Sequence, residues 1–103
     1  MTRLTYRCSG SADAILPIEQ VIPPSAAILA ERGLPRLDEL RALMAADTAL
    51  PPIIVYRHAS RIYIVNGVHR YALSREMGCT HIPVLFCSED DFPIRPFTLA
   101  DYE

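Results

Sequence analysis

The sequence predicts a small α+β domain, and three observations predict it. The stretch "RLDELRALMAAD" carries Leu37, Leu40, Leu43 and Met44 at helical spacing, with Arg36, Asp38, Glu39 and Arg41 interleaved. "PPIIVY" and "RIYIVN" are β-branched and aromatic runs separated by "RHAS", a connection of hairpin length. Before the helix and after the hairpin stand two further strand-like segments, so strands and helices mix without a strict alternation. With 103 residues there is material for one core, and residues 1–103 are read as a single domain.

In chain order, "AILPIEQVI" (14–22) reads as a short edge strand, stopped by Pro23 and Pro24 because proline cannot continue a ladder. "SAAILAERG" reads as a short helix closed by Gly33. The amphipathic helix comes next, then the hairpin. Residues 69–77 read as a second helix capped by Gly78, and "HIPVLFC" as the last strand. The segment "SEDDFPIRPFTLADYE" (88–103), with two prolines and four acids before its last tyrosine, reads as a docked extended tail. The expected architecture is a mixed sheet of short strands with helices packed on it.

Composition narrows the class. Half of the residues are apolar and 21% are charged, the balance of a globular chain rather than a disordered one. No apolar run reaches the roughly 20 residues that span a bilayer, and no apolar segment comes after Arg3 and Arg7 to make a signal peptide. A cytoplasmic protein with no membrane partner is expected. The net charge of −2 does not favour a polyanionic partner, so DNA binding gains nothing from the overall field. All ten basic residues are arginine, either as codon bias or because a planar fork suits phosphate and carboxylate. Cys8, Cys79 and Cys87 form neither a metal-binding pair nor an even disulfide set, and read as reduced thiols in or near the core.

The chemistry concentrates in "IVNGVHRYALSREMG" (64–78). A glycine after a strand adopts backbone conformations closed to other residues and lets a ligand approach the chain. The helix that opens next presents amides with no partner inside the helix and a partial positive charge, which suits an anion. His69 and Arg70 add a titratable donor and a forked cation at that end, an arrangement that makes sense if something negative binds there. The alternative is that both are solvated or pair with an acid such as Asp38 or Glu39.

The order "LPIEQVIPP", "RLDELRALM", "LPPIIVY", "YIVNGVHRYALSREMG", "HIPVLFC" resembles the ParB/sulfiredoxin superfamily across residues 14–87, with "GVHRYA" and then "IPV" as its most specific part. The resemblance implies a ParB/sulfiredoxin-like fold and a bound nucleotide, ATP or CTP, with Mg²⁺. By position it implies that Asn66, Gly67, His69 and Arg70 hold phosphate, with Arg36 as a second basic contribution. Two departures limit the carry-over. Val68 stands where sulfiredoxins have their catalytic cysteine, and Cys79 lies about 15 Å further along the helix at about 1.5 Å of rise per residue, so sulfinic acid reduction by that route is not expected. The second arginine of partition proteins is absent from the turn and no helix-turn-helix fits after Cys87, so chromosome segregation by this chain alone is not expected.

The resemblance also admits nucleases and small-molecule kinases, which need an acid for Mg²⁺ or for proton transfer. Asp38, Glu39 and His69 are the candidates, although the two acids could equally pair with Arg41 or complement the helix dipole. Tyr6, Tyr56, Tyr63 and Tyr71 are candidates to stack a base, Tyr71 foremost for its place beside the turn. His58 reads as a solvated turn residue, and His81 has no neighbours with metal spacing. The expected function is nucleotide binding, with hydrolysis or phosphoryl transfer as its enzymatic extension. The rivals are a metal-dependent nuclease acting on DNA and a non-catalytic interaction module, such as a homodimer through an edge strand or the tail.

Overall fold

The computed structural model describes residues 4–25, 37–92 and 97–102. Five strands form one sheet in the order β1-β5-β3-β4-β2. They are β1 (Ala14–Pro17), β2 (Val21–Ile22), β3 (Ile53–His58), β4 (Arg61–Asn66) and β5 (His81–Phe86). Among the described residues two α-helices, α1 (Leu37–Ala45) and α2 (Val68–Glu76), accompany it. The sheet is mixed: β1/β5 and β3/β4 are antiparallel, β3/β5 and β2/β4 parallel. The expected α+β class and mixed sheet are what the chain adopts.

The expected single strand over residues 14–22 is two strands. A 3₁₀ turn, Ile18–Gln20, separates them, Ile18 buries its side chain, and its N–H bonds Thr80 O at 2.9 Å. The two halves lie on opposite edges of the sheet. Across a flat five-stranded sheet those edges would stand about 19 Å apart, four strand spacings. A 3₁₀ turn advances only about 2 Å per residue. The sheet therefore curls until its edges approach, and the core fills its inside.

The hairpin turn is shorter than expected. β3 runs through His58, and only Ala59 and Ser60 connect the strands, both at positive φ (50° and 67°), as a two-residue turn of matching twist requires. At the other end of the hairpin the register shifts between Ile54 and Val55, which face Asn66 and Ile64, so Val65 is the extra residue of a bulge. A bulge bends its strand and re-aims the residues beyond it, here Asn66 and Gly67.

Ile53, Val55, Ile64, Ile82 and Val84 are wholly buried and meet Met44 of α1 and Val68, Tyr71 and Leu73 of α2. Leu43, expected on the apolar stripe of α1, is 43% exposed; Met44 and the half-buried Leu37 and Leu40 carry that face. Arg41 ties the helices together, its Nε and Nη2 donating to both Glu76 oxygens (2.8 and 3.1 Å) and its Nη1 to Asp38 Oδ1 (2.7 Å). The helix expected over residues 69–77 is shifted by one residue. It ends with Gly78 at φ 81°, where the Cys79 and Gly78 amides bond Ser74 O and Arg75 O, satisfying the last carbonyls.

The tail was expected to be extended, but its described residues include two 3₁₀ turns, Glu89–Asp91 and Leu99–Tyr102, and side chains dock it. Phe92, Phe97 and Tyr102 pack on Tyr56 and Tyr63, with ring centroids 4.9 to 5.1 Å apart, on the face of the hairpin away from the helices. Tyr102 Oη donates to Ile64 O. His58 joins this aromatic group, 5.3 Å from Phe97, rather than standing free in a turn. The short helix expected within "SAAILAERG" lies outside the described residues.

Candidate functional site

The site grows from the junction of β4 and α2. Gly67 stands at the N-cap of α2 with φ 101°, a conformation that side chains resist, and it makes no side-chain cap. Tyr71 N donates to Gly67 O at 3.0 Å, closing the first helical turn, and that turn contains no acid to balance the helix dipole. Asn66, Gly67, Val68, His69 and Arg70 form one wall of an open cleft of about 290 Å³; Leu40 of α1 with Leu50 and Pro51 ahead of β3 forms the other.

Arg70 does not extend into solvent or seek Asp38 or Glu39. Its Nη1 donates to Pro51 O at 2.9 Å, and the guanidinium folds back over Gly67. A Cβ added at Gly67 would lie 2.8 Å from Nη2 and 3.2 Å from Nε, so the missing side chain is what admits the guanidinium. The same carbonyl receives the hydroxyl of Tyr6 at 2.5 Å. Tyr6 belongs to the segment whose backbone pairs with Leu50, through Ser9 N to Leu50 O (2.8 Å) and Leu50 N to Arg7 O (2.9 Å). Burial pushes the Tyr6 phenol far above its usual range, against the opposing pull of Arg70, so it serves as a neutral donor. Burial likewise raises the Cys8 thiol, with Arg70 again opposing.

The cleft thus gathers four of the residues expected from sequence, Asn66, Gly67, His69 and Arg70. Arg36 lies outside the described residues. Asp38 and Glu39 do not line the cleft: Asp38 has a side chain 98% exposed and bonds Arg41, and Glu39 is exposed. Among the described residues no group of three His, Cys, Asp or Glu side chains could hold a metal, and Asp38 and Glu39 do not fit a Mg²⁺ site. Tyr71 is not open to a base. It is 6% exposed, its ring in the core, and its hydroxyl accepts from Nη1 of the exposed Arg75 at 3.0 Å. Helix geometry explains the error: one position after the cation faces a different side, here the sheet. Val68 buries its side chain in the core, and Cys79 is buried beyond the opposite end of α2.

Sequence reasoning had Tyr6 only as a candidate to stack a base, not as a donor to the cleft, and it missed Pro51. The only signal for Pro51 was the "LPP" ahead of β3, and nothing local links it to Tyr6 across 45 residues. Among the described residues no helix is long and apolar enough to cross a membrane.

Comparison with known proteins places this geometry. The transcriptional regulator NovG of Streptomyces niveus is 35% identical over 83 residues, 81% of this chain, which spans only 24% of that regulator. Among solved structures, sulfiredoxin from Arabidopsis thaliana superposes with a TM-score of 0.60 at 22% identity, over 73% of this chain and 83% of its own. The C-terminally truncated chromosome-partitioning protein ParB from Caulobacter crescentus, complexed with CTP-gamma-S, superposes with a TM-score of 0.54 at 23% identity, over 80% of this chain and 47% of its own. At these identities the structural likeness is one of fold. Residues 8–93 match the ParB N-terminal domain, a span that takes in every strand, both helices and the Gly67 turn, and the chain belongs to that family.

Proposed function

We infer that this chain binds a nucleoside triphosphate, CTP or ATP, with its phosphates at the N-terminus of α2. The observation that carries the reading is the cleft at Gly67: a helix start without a capping side chain or first-turn acid, with Asn66, His69 and Arg70 on the same wall. The family supports it, since a ParB of the same fold has been captured with CTP-gamma-S. Phosphate oxygens would meet the helix amides and the dipole beside the turn, and accept from the Asn66 amide and from the Arg70 guanidinium that the missing Cβ admits. Leu40 and Leu50 would offer their apolar surface to the ribose or base. Mg²⁺ would travel with the nucleotide, since the acids of α1 are turned elsewhere. His69 is the cleft side chain suited to move a proton should hydrolysis or phosphoryl transfer occur. DNA cleavage draws no support from Asp38 and Glu39, and the exposed edge residue Ile15 is too little surface to argue a dimer.

Calorimetry tests the reading. CTP or ATP should bind at least tenfold more tightly than cytidine or adenosine, because most of the recognition is assigned to phosphate, and the preferred triphosphate should raise the melting temperature. Equal binding of nucleoside and triphosphate, or none of either, overturns it.

A further inference from the structure

We propose that Tyr6 is a positioning residue of the phosphate site, its buried hydroxyl fixing the Pro51 carbonyl on which Arg70 rests; the proposal builds on the phosphate reading above. The Pro51 carbonyl is an unusually directed anchor. Pro51 has a fixed φ, and Pro52 after it restrains ψ to extended values, so the carbonyl points one way. A carbonyl oxygen accepts two hydrogen bonds, and here two side chains converge on it, Tyr6 Oη at 2.5 Å and Arg70 Nη1 at 2.9 Å.

The two donors differ in freedom. Tyr6 is 2% exposed and its ring is locked in the core among Met44, Leu50 and Ile53, so it cannot follow the loop; the loop must follow it. Arg70 is a long, half-buried side chain on the cleft wall that takes its place from the carbonyl. The bond to Pro51 uses one of its five N–H groups and holds Nη2 and Nε close to Gly67, leaving four N–H groups for an oxyanion in the cleft. Without the Tyr6 hydroxyl the carbonyl keeps its direction less firmly, and the guanidinium samples more orientations before a phosphate arrives. The cost of ordering it then falls on binding.

Tyr6→Phe keeps the ring and removes the donor. In the otherwise unchanged protein it should weaken triphosphate binding roughly three- to tenfold, the scale of one hydrogen bond. In an Arg70→Gln background it should change nothing, because its effect runs through the guanidinium. A second readout needs no ligand: the Arg70 Nη1 hydrogens, one of which bonds Pro51 O, should exchange faster with solvent in ¹⁵N NMR spectra of Tyr6→Phe than of the parent. An equal loss in both backgrounds, or unchanged exchange at Arg70 Nη1, overturns the proposal. If the parent binds no triphosphate, the phosphate reading fails, and the Arg70 exchange still decides whether Tyr6 positions that side chain. Should Tyr6→Phe not fold, the parent can be titrated with CTP while the Tyr6 hydroxyl proton is followed. A shift that saturates with binding supports the coupling, and an unmoved resonance at saturation overturns it.

Discussion

Replacing Gly67 with alanine tests the geometry of the cleft, and Gly78→Ala is its internal control. Both glycines have positive φ, 101° and 81°, and they sit at the two ends of the same helix. At Gly78 an added Cβ meets nothing within 4 Å, so the variant bears only the cost of a left-handed residue, about 1–2 kcal/mol. At Gly67 the φ lies further from any comfortable region, worth about 1–3 kcal/mol. The new methyl would also stand 3.1 Å from Ile53 Cγ1 and 2.8 Å from Arg70 Nη2. The guanidinium can swing away, but Ile53 is fully buried between the sheet and α2 and has nowhere to go, which adds about 1–3 kcal/mol of overpacking. Gly67→Ala should therefore lose about 2–6 kcal/mol of stability and Gly78→Ala about 1–2 kcal/mol. Urea unfolding monitored by circular dichroism measures both. Triphosphate affinity should fall in Gly67→Ala, whose Arg70 has been displaced, and hold in Gly78→Ala. A Gly67→Ala protein as stable as Gly78→Ala would refute the close approach of Arg70 and Ile53 to that turn.

Arg70→Lys keeps the charge but loses the planar fork, and should weaken triphosphate binding by about 1–3 kcal/mol in calorimetry while its melting temperature stays within a few degrees of the parent. Tyr71→Phe removes a hydroxyl that accepts from the exposed Arg75 and does not line the cleft, so nucleotide affinity should be unchanged; a clear loss would return Tyr71 to the site. Hydrogen bonding from Arg41 holds the Glu76 carboxyl below its ordinary value of 4.5, so its stabilising effect is full above that pH and is lost as the pH falls through the lower folded value. Melting curves of the parent and Glu76→Gln should accordingly differ at neutral pH and converge in acid. Burial raises the Cys8 and Cys87 thiols above 9.0, with Asp91 adding to the effect at Cys87. Alkylation by iodoacetamide at pH 7 should be slower at both than in an unstructured peptide, and should accelerate only in alkali.

Much of the fold was legible because its signals are local. The period of α1, the β-branched runs of the hairpin and the glycines at both ends of α2 each act within a few residues. The strand–glycine–helix turn that lines the cleft was legible for the same reason, since its three parts are adjacent in the chain. What escaped depends on distant partners. Residues 14–22 have the pattern of one strand, and only their separate pairing with β5 and β4 breaks them at Ile18. Ala59 and Ser60 lack the usual Asn-Gly signature, so a two-residue turn was hidden inside "RHAS". Arg70 was expected to hold phosphate, with an acid or water as the alternative, and no local signal pointed to the backbone oxygen of Pro51, 19 residues earlier, on which its Nη1 rests. Tyr71 was misplaced because adjacency in sequence does not mean adjacency on a helix face.

The 3₁₀ turn at Ile18–Gln20 has a kinetic consequence. Because it joins the two outermost strands, β1 cannot settle against β5 without bringing β2 to within a short step of β4. Ala14 must meet Val84, and Val21 must meet Ile62, in what amounts to one closure. The hairpin and α2 rely on near neighbours and can form early, whereas this closure bears the loop entropy of the roughly 70 residues from Ala14 to Val84 and belongs late on the folding path. Weakening the clasp at Ile18 should speed unfolding while leaving the folding rate nearly untouched.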